Sequence, residues 1–417
     1  MPNTVKLPRL APDETRELEL SFPESWEVAV CPIAGGQRPR LRPEEIKQAV
    51  AHPIGTPPLR ELARGKRDVA IIFDDTTRVT RTAEIVPPVL EELALAAVPD
   101  SRIRFIAALG AHGAMNRTGF ARKLGEATLA RFPVYNHNPL DKGAYVGTTS
   151  YGTMVFINAE VARCDLKIGI GTISPHIRAG FGGGGKIILP GVAALPTIEH
   201  LHTLANQAAS EHREKPVIGM GIFDGNPMRA NCQEAAKLAG LDFIINCLHN
   251  QRGETVAVYA GAPELAFARG VEEAKKHYLA PKALDKDVVV ANAFSRAGEA
   301  GISLGMALAS ASLRGSDIVL VCNAPEGQVT HYLLGSFGNS HWSRLTTRRT
   351  LPAHIRHLII FTDYPDPGGH NSWLEPSERV VTLSQWDDVL GLLIEGHGDG
   401  SSVAVYPSAD CQFFAPE

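Results

Sequence analysis

Several things are scarce in these 417 residues, and each scarcity removes a class of function. The six cysteines (Cys31, Cys164, Cys232, Cys247, Cys322 and Cys411) are scattered, with no C-x-x-C pair. That spacing argues against a disulfide framework and against a thiolate zinc site, and six reduced thiols suit a cytoplasmic protein. Long apolar runs are missing, so nothing approaches the roughly 18 residues of a membrane helix. The start, Met1-Pro2-Asn3-Thr4-Val5-Lys6, has no apolar stretch after its charge and does not read as a secretory signal. Excess charge of one sign is also lacking. With 41 Lys and Arg against 45 Asp and Glu, the net charge is −4, which gives no electrostatic case for nucleic acid or anionic lipid. Aromatics are only 6%, too few to suggest base-stacking platforms.

Glycine and proline are plentiful, at 39 and 29. Four glycines stand in a row, Gly182, Gly183, Gly184 and Gly185, in a segment that also holds His176, Lys186 and His202. Clustering of this kind points to a backbone that approaches a ligand closely.

The length predicts two domains. Residues 68–73 form an apolar run of strand length that stops abruptly in Asp74-Asp75-Thr76-Thr77-Arg78. A second run, 102–108, leads into Gly110-Ala111-His112-Gly113, and a third, 165–170, leads into the glycine-rich segment. Residues 86–96 are apolar at helical spacing. Buried strands that end in polar loops and alternate with helices predict an α/β fold with chemistry at the carboxyl ends of a mostly parallel sheet. After an amphipathic helix at 263–279 and a linker at 280–286, the alternation restarts with strands at 287–290, 318–321 and 358–361. The boundary is therefore placed at 280, with 1–280 as the catalytic domain. Residues 281–417 are expected as a Rossmann-like domain closing over substrate, with the active site in the interdomain cleft and the extreme C-terminus returning to the first domain. No internal repeat is visible.

Three constellations carry chemistry. A strand-end Asp75 beside Arg78 offers a carboxylate and a fork of donors, although an N-cap followed by a surface Arg would look the same. His112 sits in a loop of small residues after a buried strand, which would open its ring to a cleft; a lone His is also often structural. Gly180 to Lys186 spells a formal G-x-x-x-x-G-K, so a P-loop nucleotide phosphatase has to be weighed. Ile187 stands where the magnesium-binding Ser or Thr belongs, and Pro190-Gly191 follows too soon for a phosphate-capping helix. The other reading gives Lys186 a crowded glycine pocket that lowers its pKa and makes it a nucleophile for covalent attachment. His200 and His202, two residues apart, cannot share a helix face, so at most one of these imidazoles turns inward.

The run from Asp75-Thr76-Thr77-Arg78 through Gly110-Ala111-His112, then Pro175-His176 to Pro190-Gly191, then His202, resembles the nickel-dependent lactate racemase family. The resemblance spans Asp74 to His202, and beyond that only the domain layout agrees. It implies a pyridinium mononucleotide with two sulfur-containing arms, one joined to Lys186, and a nickel ion whose protein ligand is His202 and not His200. It implies cofactor-binding roles for Asp75 and Arg78, with Thr76 and Thr77 between them, and catalytic roles for His112 and His176. Enzymes that build the cofactor are then partners. The reaction implied is inversion of carbon 2 of a 2-hydroxy acid by proton-coupled hydride transfer, with one histidine base for each enantiomer.

Two departures separate this chain from lactate enzymes. Gly113 stands where an Arg commonly follows the first histidine. The stretch 298–307 has neither the Gln nor the Lys that binds lactate's carboxylate. Arg178, with Arg296 as a second candidate, is the expected carboxylate clamp, and the vacated volume suits a longer acid such as a sugar acid or a dicarboxylate. The rivals are an epimerase or dehydrogenase-like enzyme acting on a polyhydroxy acid, and a non-catalytic relative that binds a nucleotide or small acid. Such a relative would have no use for two histidines.

Overall fold

The computed structural model describes residues 3–9, 17–334 and 348–415. The chain is α/β and divides into two compact units. The first comprises residues 38–250 and 254–276. Its six-stranded sheet runs, edge to edge, Thr255–Gly261, Phe243–His249, Leu166–Thr172, Val69–Asp74, Ile103–Ala108, Val134–Asn136. Every pairing is parallel except the outer one, Thr255–Gly261 against Phe243–His249. The three central strands are the apolar runs legible in the sequence. Val69–Asp74 and Leu166–Thr172 are buried along their whole length, as expected for strands covered on both faces. Thr82–Leu95 is the crossover helix, and it buries Ile85, Val89 and Leu93 against Val69, Ile71 and Phe73 of the same core.

The second unit contains residues 1–37, 251–253 and 277–417. Its sheet is all parallel, in the order Val380–Leu383, Ile355–Phe361, Ser316–Val321, Val288–Asn292, Ser402–Tyr406, Glu27–Val30. This corrects the domain expectation at both chain ends. Glu27–Val30 lies beside Ser402–Tyr406, and the hairpin of Asn3–Pro8 and Glu17–Phe22 buries Leu7, Leu20 and Phe22 in a core with Val290, Val319 and Ile359. The first 37 residues therefore belong with the C-terminal half. The chain end stays there too, since Phe413 N–H bonds the Tyr278 carbonyl at 3.1 Å.

All six cysteines are free thiols. Among the described residues, no helix is long and apolar enough to cross a membrane.

Candidate active site

In the first unit, the carboxyl edge of the sheet gathers the loops singled out from the sequence. Val69–Asp74 ends in two carboxylates with different partners. Asp74 accepts from the buried Lys123 ammonium at 2.6 Å, from Thr80 Oγ1 at 2.5 Å and from the Thr172 amide at 3.1 Å. Lys123 also bonds the carbonyls of Arg78 and Thr80, at 3.1 and 2.9 Å, so this pair pins the turn that follows. Asp75 Oδ1 accepts from the amide of Thr77 at 3.0 Å and from its hydroxyl. Asp75 Oδ2 faces His112 Nδ1 at 2.7 Å. Burial pushes the Asp75 carboxyl up, but His112, Arg78 and Thr77 together outweigh it and hold the group well below the usual carboxylate range. Both oxygens are thus hydrogen-bonded within the chain, one of them to His112. Arg78 bonds Thr77 Oγ1 at 2.7 Å, and the Thr76 methyl group points towards Gly119.

Ile103–Ala108 leads into Gly110, whose φ of +57° favours glycine and whose amide bonds the Gly191 carbonyl at 2.8 Å. That bond ties the His112 loop to the far end of the glycine-rich segment. His176 closes a tight hairpin in which Pro175–His176 pairs with Ala179–Phe181. His176 Nδ1 accepts the amides of Arg178 and Ala179, at 3.2 and 3.0 Å. The Arg178 guanidinium donates to Asn206 Oδ1.

Two of the four glycines are required by the chain's own packing. A Cβ on Gly184 would meet the Phe267 ring at 2.6 Å, and one on Gly185 the Cys232 carbonyl at 2.5 Å. Gly184 and Gly185 thus let Pro263–His277 and Pro227–Leu238 pack closely on the run. Arg229 fastens the loop from beneath, donating to the carbonyls of Phe181 and, at 3.0 Å, Gly183. It is fully buried above the Phe267 ring, and burial pushes its pKa down to about 10. Gly184–Ile187, which carries Lys186, is a single 3-10 turn, and the next helix begins only at Leu195. A P-loop requires a helix N-terminus on the phosphate, so the nucleotide phosphatase reading fails here.

Leu195–Glu211 carries both sequence candidates for metal binding. His200 is exposed, and its Nδ1 faces Thr153 Oγ1 at 2.9 Å. His202 is half-buried and its Nδ1 donates to the Ile198 carbonyl at 2.8 Å, which leaves a lone pair on Nε2. Burial pushes His202 down to about 4, opposed by the Ile198 carbonyl, and the charges of Arg178, Lys186 and His112 act in the same direction as burial. Arg178, Lys186 and His112 are therefore close enough to His202 for their charges to bear on it. Arg296, the second clamp candidate, is buried in the other unit with its charge bearing on Asp410. Sequence reasoning missed Lys123, Arg229 and Asn206. Only Arg229 left a trace, as a cation between Met228 and Cys232 on the buried side of Pro227–Leu238.

The fold is of the α/β class, with an Asp–His pair, a second histidine and a lysine in the loops at the carboxyl edge of its parallel sheet, groups of the kind that acid–base chemistry uses. Residues 14–213 match the lactate racemase N-terminal domain family. The chain is 32% identical over 242 residues to a lactate racemase of Thermoanaerobacterium thermosaccharolyticum, covering 57% of this chain and 55% of that one. It is 31% identical over 290 residues to a lactate racemase of Lactiplantibacillus plantarum, covering 68% and 66%. The chain is a homologue of the lactate racemase family. These alignments span little more than half, and just under two thirds, of the two relatives. In fold, it is similar to the lactate racemase apoprotein from T. thermosaccharolyticum, with a TM-score of 0.70 at 21% identity over 99% of this chain and 100% of that one. A Thermotoga maritima protein superposes with a TM-score of 0.64 at 18% identity, over 90% and 98%.

Proposed function

We propose that this protein is a racemase or epimerase that inverts carbon 2 of a 2-hydroxy acid longer than lactate. In this reading it uses a nickel-bearing pyridinium mononucleotide joined to Lys186 and supplied by the enzymes that build it. The observation that carries the reading is the pairing of His112 with Asp75 beside Lys186 and His202, in a homologue of lactate racemases.

The donor set fits such a group. Among the described residues, no three His, Cys, Asp or Glu side chains come together to hold a metal. An ion at His202 Nε2 would have to bring its other donors with it, as a sulfur-armed nucleotide does. Lys186 would anchor the group, and Arg78, Thr76 and Thr77 would border it. When bound, it supplies a reversible hydride acceptor, which spares the enzyme from making a carbanion next to a carboxylate. The chain supplies the proton chemistry. Asp75 fixes the His112 proton on Nδ1, so Nε2 receives the substrate's hydroxyl proton and later returns it. Arg178, held by Asn206, offers a fork of donors to the substrate carboxylate.

The reading of a longer acid rests on the stretch 298–307, which lacks the Gln and Lys of lactate enzymes. The test is a panel of enantiopure 2-hydroxy acids, sugar acids included, offered to nickel-loaded enzyme and followed by chiral chromatography. A longer acid should turn over fastest. Lactate as the best substrate would overturn the size argument, and no turnover of any acid would overturn the racemase reading. Protein coexpressed with the cofactor-building enzymes should show an adduct in its intact mass, and peptide mapping should place it on the Lys186 peptide.

A further inference from the structure

The three histidines at the sheet edge are not equivalent, because each Nδ1 has a different kind of partner. A neutral imidazole carries one proton, and the group facing either nitrogen decides where it stays. His112 Nδ1 faces the carboxylate oxygen of Asp75 at 2.7 Å, an atom that only accepts. The proton therefore sits on Nδ1, and Nε2 keeps its lone pair. His202 Nδ1 faces the Ile198 carbonyl, with the same result. His176 is the reverse. Its Nδ1 receives two backbone N–H groups, from Arg178 and Ala179, so Nδ1 holds the lone pair and the proton stands on Nε2.

The geometry points to unequal catalytic roles: His176 is a fixed N–H donor that holds a substrate oxygen, while His112, steered by Asp75, is the group that moves the proton. This deepens the 2-hydroxy acid reading and rests on it. It replaces the pair of equal bases expected from the family resemblance. To act as a base, His176 would need its proton on Nδ1, where it would confront two N–H groups. The fully protonated ring meets the same conflict, and either form gives up two hydrogen bonds. The amides cannot simply swing aside. They belong to the turn that ends at Gly180, where φ is +72° and a Cβ would lie 2.2 Å from the Ile222 carbonyl oxygen. Both enantiomers then present their hydroxyl to His112. They differ in whether the carboxylate or the side chain lies towards His176 and Arg178.

Two-bond proton–nitrogen spectra of protein labelled with ¹⁵N-histidine read the tautomers directly, without cofactor. His112→Gln, His176→Gln and His202→Gln assign the signals. Between pH 6 and 8, His176 should show the Nε2–H pattern, and His112 and His202 the Nδ1–H pattern. A protonated Nδ1 on His176 would overturn the assignment. In loaded enzyme, His112→Gln should lower kcat by roughly 10²–10⁴-fold, the typical loss of a general base. His176→Gln keeps an N–H near the same place and should lose about tenfold, the worth of one poorly placed hydrogen bond. Equal losses would also overturn the proposal. The two readings fail separately: a chain inactive on every 2-hydroxy acid would show it by inactivity with these tautomers intact, whereas wrong tautomers appear whatever the substrate.

Discussion

Asp74 and Asp75 are adjacent in the chain but serve different partners, Asp74 the Lys123 ammonium at 2.6 Å and Asp75 the His112 ring at 2.7 Å. In the proposed reading the first bond only holds the fold, and the second also steers the base. Asp74→Asn leaves a buried ammonium without its counter-charge, and losing one member of a buried pair typically costs about 3–5 kcal/mol. Asp75→Asn should cost less stability and far more activity, roughly 10²-fold or more, because the ring loses its orientation. Urea unfolding and turnover, measured on both variants, separate the two. In the nitrogen spectra, Asp75→Asn should also release His112 from its Nδ1–H form, which a merely structural role would not do.

Nickel content discriminates between the neighbouring histidines of Leu195–Glu211. His202→Ala should abolish the metal retained by loaded protein. His200→Ala should leave it intact, since that ring is exposed and turned to Thr153. Loss in the second variant and retention in the first would mean that the other face of the helix holds the ion.

Acid stability has an identifiable contributor in His137, which is buried and faces the Ala193 carbonyl at 2.8 Å. Burial pushes it down to about 4, against the raising effects of Ala193 and Asp141. Because the folded value lies below the ordinary 6.5, the unfolded chain takes up the proton first as pH falls. Stability is therefore lost between roughly pH 6.5 and 4, at up to about 1.4 kcal/mol per pH unit, and that loss levels off below. His137→Gln keeps a donor for Ala193 and does not titrate, so its stability profile in that window should be flatter. An unchanged slope would remove His137 from the acid response.

Arg229→Met should loosen the glycine-rich loop. Hydrogen bonds to a charged donor are each worth about 1.5–3 kcal/mol, so a loss of about 2–4 kcal/mol is expected, with faster amide exchange at Gly184 and Gly185. Unchanged exchange would mean that Asn246 and Gln233, which accept those two amides at 2.9 Å each, suffice to hold the loop.

Arg178→Met should raise KM for the preferred acid by about tenfold or more while the histidine tautomers stay as they are, since losing a charge-assisted contact weakens carboxylate binding first. A fall in kcat at constant KM would place Arg178 on the reacting centre instead.

Much of the catalytic edge is legible in the sequence because each of its strands is an apolar run that stops at polar residues. Asp75, His112 and the approach to His176 all stand just past such stops. What escapes is decided by partners far away in sequence. Glu27–Val30 pairs with Ser402–Tyr406, at the other end of the chain, and no local pattern announces that pairing. Lys123 looks like any cation in a helix until Asp74 is found beside it. The crowding at Gly184 and Gly185 escapes for the same reason: it comes from Phe267 and Cys232, which are remote in sequence. The tautomer of His176 depends on two backbone amides, and side-chain identities do not encode it.

His202 and Asn206 stand four residues apart on one helix and so project from the same face. In the proposed reading the first would offer its free-facing Nε2 lone pair to a metal, its Nδ1 being held by the Ile198 carbonyl, while the second grips the guanidinium of Arg178. A helix moves as a stiff rod, so a slide or roll that improves one grip is felt at the other. By thermodynamic reciprocity, whatever metal occupancy does to the affinity of Arg178 for an acid, the acid does to metal affinity by the same factor. Charging the enzyme and capturing its substrate are then linked equilibria, and metal retention measured with and without the acid gives their coupling directly.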